Sequence, residues 1–166
     1  MRISAELAEA IVAHCLEEHP IEACGILCGP AGTPATVIPM VNELDSETAY
    51  AFEPAQQLAV WDSMFDRGEE LAGIYHSHTR HEAYPSPRDV QCWVYDVPHL
   101  IVSTKGDPAL RAFYLRDGVV QEEPVQVLTS SAAGRPGRGC PAARWRPARS
   151  PTWWWPASRP RRPRRS

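Results

Sequence analysis

Gly73-Ile74-Tyr75-His76-Ser77-His78, followed after seven residues by Ser86 and after two more by Asp89, is the most informative stretch of this 166-residue chain. Residues 70–77 read as an apolar strand that runs into the histidines. Two histidines at i and i+2 on extended backbone point to the same side, so their imidazoles can reach one ion. Asp89 lies just inside the helix expected next, over 87–95, and offers a third ligand. Two imidazoles and a carboxylate with an open fourth position match a catalytic zinc site. Zinc lowers the pKa of water in such a position to about 7, making hydroxide available at neutral pH.

The flanking sequence supplies a scaffold for this strand end. Residues 4–18 read as a helix, with Ser4 as its cap and Leu7, Ile11 and Cys15 on one face. Pro20 ends it. Residues 22–28 and 35–41 read as a hairpin around the Gly29-Pro30-Ala31-Gly32 turn. A short extended piece is expected near 49–53. A second helix is predicted over 54–67, with Pro54 at its first position and Leu58, Trp61 and Phe65 facing inward. Strands at 98–103, 109–115 and 119–127 complete the set, the last two joined by the hairpin signal Asp117-Gly118. The expected fold class is α/β, a mixed β-sheet flanked by helices.

Charge divides the chain. The formal net charge is −3, but residues 1–128 hold 7 basic and all 20 acidic residues, while residues 129–166 hold 10 arginines and no acid. The first part is read as one globular domain. The acidic balance argues against nucleic acid as its main partner. The last 38 residues lack any period of 2 or 3.6 and are read as a disordered tail. Trp153-Trp154-Trp155 admits a basic-aromatic patch for nucleic acid or anionic membrane, or a dispensable tail. The second reading is preferred because nothing periodic organises the arginines.

No stretch of 18 apolar residues suggests a membrane span, and Glu6, Glu9, Glu17 and Glu18 near the start argue against a secretory signal. The five cysteines, at 15, 24, 28, 92 and 140, form no Cys-x-x-Cys pair. Neither a disulfide framework nor a zinc ribbon is expected, and the cytoplasm is the default compartment.

Two further residues bear on the chemistry. Ser86 reads either as a helix N-cap before Pro87 or as a hydroxyl that donates to a developing oxyanion beside the metal; both can hold together. A metallohydrolase also needs a general base, and Glu22, beside the apolar run 23–28, is the best candidate. By position alone the reading as an exposed carboxylate at a strand start is the preferred one, since exposed glutamates are the norm. His81 and Glu82 read as solvated loop residues, and His14 and His19 as surface or helix-end residues. Cys24, Cys28, Cys92 and Trp93 read as core.

Pro20-Ile21-Glu22-Ala23-Cys24-Gly25-Ile26-Leu27, the His76-Ser77-His78 segment, and Tyr84-Pro85-Ser86 with Asp89 together resemble the JAMM (MPN+) metalloprotease family. The likeness covers about residues 1–128. It implies the JAMM/MPN fold, which is cytidine-deaminase-like. It implies Zn2+ bound by His76, His78 and Asp89, with Glu22 as base and Ser86 supporting the tetrahedral intermediate. Thr79 departs from the family pattern, since many relatives have proline there.

The resemblance is strongest to the short bacterial branch, in particular to actinobacterial hydrolases that release cysteine from a sulfur-carrier protein. It implies as partner a ubiquitin-like carrier with a C-terminal Gly-Gly, no membrane, and a place in cysteine biosynthesis. The alternatives are a general desampylase- or deubiquitinase-like peptidase, and a non-catalytic MPN binding module, against which the intact five-residue set speaks. A nucleic-acid protein driven by the arginine tail is a further reading.

Overall fold

The computed structural model describes residues 1–129; the tail assigned to 129–166 therefore lies, but for Thr129, outside the described residues. The chain order is β1 (Arg2–Ser4), α1 (Ala5–Glu18), β2 (Cys24–Gly29), a short 3-10 turn (Pro30–Gly32), β3 (Thr36–Met40), α2 (Pro54–Asp66), β4 (Glu70–His78), α3 (Pro87–Gln91), β5 (His99–Ser103), β6 (Ala109–Arg116), β7 (Val119–Glu123) and β8 (Gln126–Leu128). Six strands form one mixed sheet in the order β3-β2-β4-β5-β6-β7, with β4 and β5 parallel and the other pairs antiparallel.

The two sheet faces have different tasks. Successive strand residues alternate between faces, so Tyr75 and Ser77 face one way and Ile74, His76 and His78 the other. The Tyr75 face, with Leu27, Leu100 and Val102, packs on Ile11 and Cys15 of α1. Ser4 caps α1 as expected, its hydroxyl accepting the Leu7 N–H at 3.2 Å. β2 is buried at all six positions because it lies inside the sheet and is covered on both faces.

Three expectations need correction. Helix α2 carries two apolar stripes, and the smaller one is buried. Val60 and Met64 are buried, whereas Leu58 and Phe65 are 64% and 85% exposed. Gln56 sets this rotation, since its amide accepts the Val41 N–H and donates to the Pro39 carbonyl at the end of β3. Gln56, Val60 and Met64 follow at i+4 and so share a face.

Helix α3 stops at Gln91, short of residue 95. Cys92 is exposed, and Trp93 is half-buried against His99. The chain must extend again before Pro98, which leaves no room for more turns of helix. The strand expected over 119–127 is broken at Pro124, which cannot donate to a ladder. Beyond it β8 pairs in parallel with β1, an element absent from the sequence reading.

Gly25 is fixed by the Tyr75 ring. A Cβ there would meet the ring atoms at 2.4 Å. The ring cannot easily yield, because its hydroxyl is bonded to His14 Nδ1 at 2.9 Å. Gly25→Ala is expected to destabilise the domain by about 1–3 kcal/mol through overpacking. Denaturant midpoints would show it, and an unchanged midpoint would contradict the packing argument.

Candidate metal centre and active site

Strand β4 delivers His76 and His78 to one face at its C-terminal end. Asp89 comes from α3, whose start is fixed by a reciprocal capping box. The Ser86 hydroxyl accepts the Asp89 N–H at 3.2 Å, and the Asp89 carboxylate accepts the Ser86 N–H at 2.7 Å. Ser86 therefore fills the cap role expected of it, and in doing so aims Asp89 at the histidines.

His76 Nε2 lies 3.1 Å from His78 Nε2. Asp89 reaches the two at 3.5 Å and 3.3 Å through different oxygens. One ligand atom from each of the three lies within 4.8 Å of the others. The tautomer of His78 is set by its second nitrogen, because Nδ1 faces the Glu82 carbonyl at 2.9 Å, which can only accept. A neutral His78 thus turns its Nε2 lone pair into the cluster. Lone pairs and a carboxylate converging on one point need a cation between them, so the donor set fits a divalent metal of the zinc class.

Charge follows the same geometry. Burial opposes ionisation of Asp89, but hydrogen bonds from His76 and His78 outweigh it and hold the carboxyl well below its ordinary range. Burial lowers the His76 pKa. It also opposes the charge on His78, yet Asp89 and the Glu82 carbonyl reverse the sign and raise it.

Glu22 is buried, 5% exposed, which removes the reading of it as a surface carboxylate. Burial, first, pushes its carboxyl up to about 7, opposed by the nearby His78 and reinforced by the Asp89 charge. Its backbone is held on both sides. The Glu22 N–H donates to the Ser46 carbonyl at 2.9 Å, and its own carbonyl accepts from Asn42 at 3.0 Å.

Ser77, the middle residue of the histidine pair, points to the other face. Its hydroxyl accepts the Ala23 N–H at 2.8 Å, and its own N–H donates to the Ala23 carbonyl at 2.9 Å. The residue after Glu22 is thereby locked to the residue between the two histidines.

Three contributors were missed in the sequence. Asn42 is buried and uses its whole amide: it donates to Glu22 and Ala49 carbonyls and accepts from the Leu44 and Ala51 N–H groups. It shapes the loop that carries Tyr50, whose ring stacks on His76 at 4.6 Å between centroids. His99 lies buried on the histidine face of β5. Nothing in a single sequence separates Asn42 from an ordinary turn residue, and Tyr50 and His99 look like core.

Thr79, the departure from the family pattern, is buried and donates to the Glu47 carbonyl at 3.0 Å. His81 and Glu82 are exposed. Glu82 serves the site through its backbone.

The profile of prokaryotic homologs of the JAB domain matches residues 4–116. The CysO-cysteine peptidase of Mycobacterium tuberculosis is 44% identical over 131 residues, covering 76% of this chain and 90% of that protein. A Thermus thermophilus protein named “Probable TtuB-protein conjugate cleaving protease” is 38% identical over 123 residues, covering 74% and 79%. Among solved structures, a JAB1/MPN domain protein from Archaeoglobus fulgidus superposes with a TM-score of 0.54 at 21% identity, covering 77% of this chain and 97% of that one; this likeness bears on the fold.

Proposed function

The chain belongs to the prokaryotic JAB family, and from that premise we propose a zinc-dependent peptidase acting on a small ubiquitin-like sulfur-carrier protein. It hydrolyses the amide after the carrier's C-terminal Gly-Gly and releases cysteine, in a cysteine biosynthesis route. The observation that carries the chemistry is the convergence of His76, His78 and Asp89 with the buried Glu22 beside them. The substrate class is supported by the likeness to the CysO-cysteine peptidase.

His76, His78 and Asp89 would hold the ion. Bound there, zinc would supply Lewis acidity toward the scissile carbonyl and the attacking water. Glu22 takes the proton of the attacking water and returns it to the leaving amine; a carboxyl near 7 can do both at neutral pH. The Ser86 oxygen already accepts the Asp89 N–H, which leaves its own proton to donate to the carbonyl oxygen as charge develops. The carrier's extended end would lie along a sheet edge and bind by main-chain hydrogen bonds.

No helix among the described residues is long and apolar enough to cross a membrane. Cys15, Cys24, Cys28 and Cys92 are free thiols, in keeping with a reducing, cytoplasmic setting.

The test is incubation of the full chain with a carrier–cysteine conjugate, with intact mass read before and after chelation. Loss of one cysteine residue that stops on chelation is expected; an unchanged mass with metal-replete protein would refute the reading. A general peptidase for ubiquitin-like conjugates is the second reading, favoured by the likeness to the Thermus protein. Leu128 truncation tests the tail: full activity without it would dismiss a nucleic-acid role for the arginines in this reaction.

The glycines should matter more than the leaving group. Only glycine lets the carrier backbone pass close to the site, so Gly→Ala or Gly→Val at the carrier end should block cleavage. Replacing the released cysteine by alanine or serine should cost much less in kcat/KM. The opposite ranking would point to an amino-acid-specific peptidase.

A further inference from the structure

His78 and His76 are supported unequally. The outer nitrogen of His78 is satisfied by the Glu82 carbonyl, whereas His76 Nδ1 is buried and has no hydrogen-bond partner among the described residues. A histidine that binds metal through Nε2 regularly donates from Nδ1 to a carbonyl, a carboxylate or a water, which fixes its tautomer and aim. His76 needs such an acceptor, and none of the backbone around it supplies one.

Both ring nitrogens of His99 are also buried without hydrogen-bond partners among the described residues. The register places the two histidines on one face of adjacent parallel strands, since His76 pairs with Ile101 and Ile74 with His99. They are therefore diagonal neighbours, a separation of roughly 7–8 Å between backbones that long side chains span. His99 lies flat against Trp93, with ring centroids 3.7 Å apart and planes 19° from parallel, so one face of its ring is covered. Burial, and then the proximity of His76, pushes its pKa down to about 3, so the ring is neutral and offers one acceptor nitrogen.

Unpaired buried nitrogens each cost about 1–3 kcal/mol, and a small polar space with several such atoms is where a protein keeps a water. We propose that His99 is a positioning residue for His76: a trapped water accepts the His76 Nδ1 proton and donates to His99, holding His76 Nε2 bare and aimed at the metal. The inference rests on His76 being a ligand. It assigns His99 a task in metal affinity that its place in the aromatic core would not require.

Two substitutions separate the polar role from packing. His99→Phe keeps the ring on Trp93 and removes both nitrogens; His99→Gln keeps polar atoms and loses the stack. Zinc affinity of the full chain, measured by chelator competition, should fall roughly 10–100-fold in His99→Phe and stay close to wild type in His99→Gln. Equal affinity of His99→Phe and wild type, or a larger loss in His99→Gln, would overturn the proposal.

Nitrogen NMR of the 15N-labelled wild-type chain gives a second readout that needs no variant to fold. In the zinc-loaded protein His76 Nδ1 should carry a slowly exchanging proton; an Nδ1 proton there in fast exchange with solvent would also overturn it. Wild-type protein that binds no zinc at all would instead strike at the ligand assignment itself, and with it this inference.

Discussion

Glu22→Gln is expected to keep the fold and the zinc while turnover falls roughly 10²–10⁴-fold. The amide has the carboxylate's shape but cannot take a proton from water or return one to the leaving amine. Since Glu22 is not one of the three converging side chains, metal content should be unchanged. Binding of the carrier end should barely move, so the loss belongs in kcat rather than KM. Steady-state kinetics alongside elemental analysis would check both halves. Wild-type turnover in this variant would move the base elsewhere, with Glu82 next in line.

The same substitution has the opposite sign for stability. A carboxyl whose folded pKa is raised from 4.5 to about 7 is protonated in the folded chain at pH values where the unfolded chain has already ionised. Metal-free wild type therefore loses stability as pH rises from about 4.5 through about 7, by on the order of 2–3 kcal/mol. Glutamine has no proton to lose, so metal-free Glu22→Gln should exceed wild type by about that amount above pH 7 and show no advantage near pH 4. Parallel unfolding curves at the two pH values test the sign. An inactive variant that is also the more stable one is what a buried catalytic carboxylate predicts.

How much of this was legible in the sequence depended on whether the signal was local. His76, Ser86 and Asp89 could be read together because strand and helix geometry fix their directions over a span of 14 residues. Ser4 and Ser86 were readable as caps for the same reason. Glu22 was different: it comes to the site through the pairing of β2 with β4, where Cys24 lies opposite His76. By position it competed with an ordinary exposed carboxylate, and the family resemblance settled the choice.

Most of the misses are non-local; the early end of α3 before Pro98 and the strand break at Pro124 are the local ones. Helix α2 has two usable apolar stripes, and a bond from Gln56 to an edge strand chose between them. Ser77, to which the sequence assigned no role, ties β4 to Ala23. Asn42 satisfies four backbone groups in a loop with no period of its own. β1 and β8 are three residues each and exist because they meet each other across the chain.

Removal of one of the three converging side chains should have the largest effect. His78→Ala deletes one imidazole and leaves His76 and Asp89, too few protein ligands for the closed part of a tetrahedral site. It also strands the Glu82 carbonyl that orients the ring, at a cost of about 1 kcal/mol, which the domain should tolerate. Elemental analysis of the purified full chain is expected to give one zinc per chain for wild type and most of it lost in the variant.

Asp89→Asn is the companion, because Asp89 has two tasks. An asparagine oxygen can still accept the Ser86 N–H and keep α3 capped, while the negative charge facing His76 and His78 disappears. Its unfolding midpoint should stay near wild type as its zinc content falls, whereas Asp89→Ala should lose both zinc and about 0.5–2 kcal/mol of cap stability. Full zinc occupancy in His78→Ala and Asp89→Asn alike would reject the three-ligand assignment. Zinc loss accompanied by unfolding in Asp89→Asn would mean that the helix start, and not the carboxylate charge, governs the site.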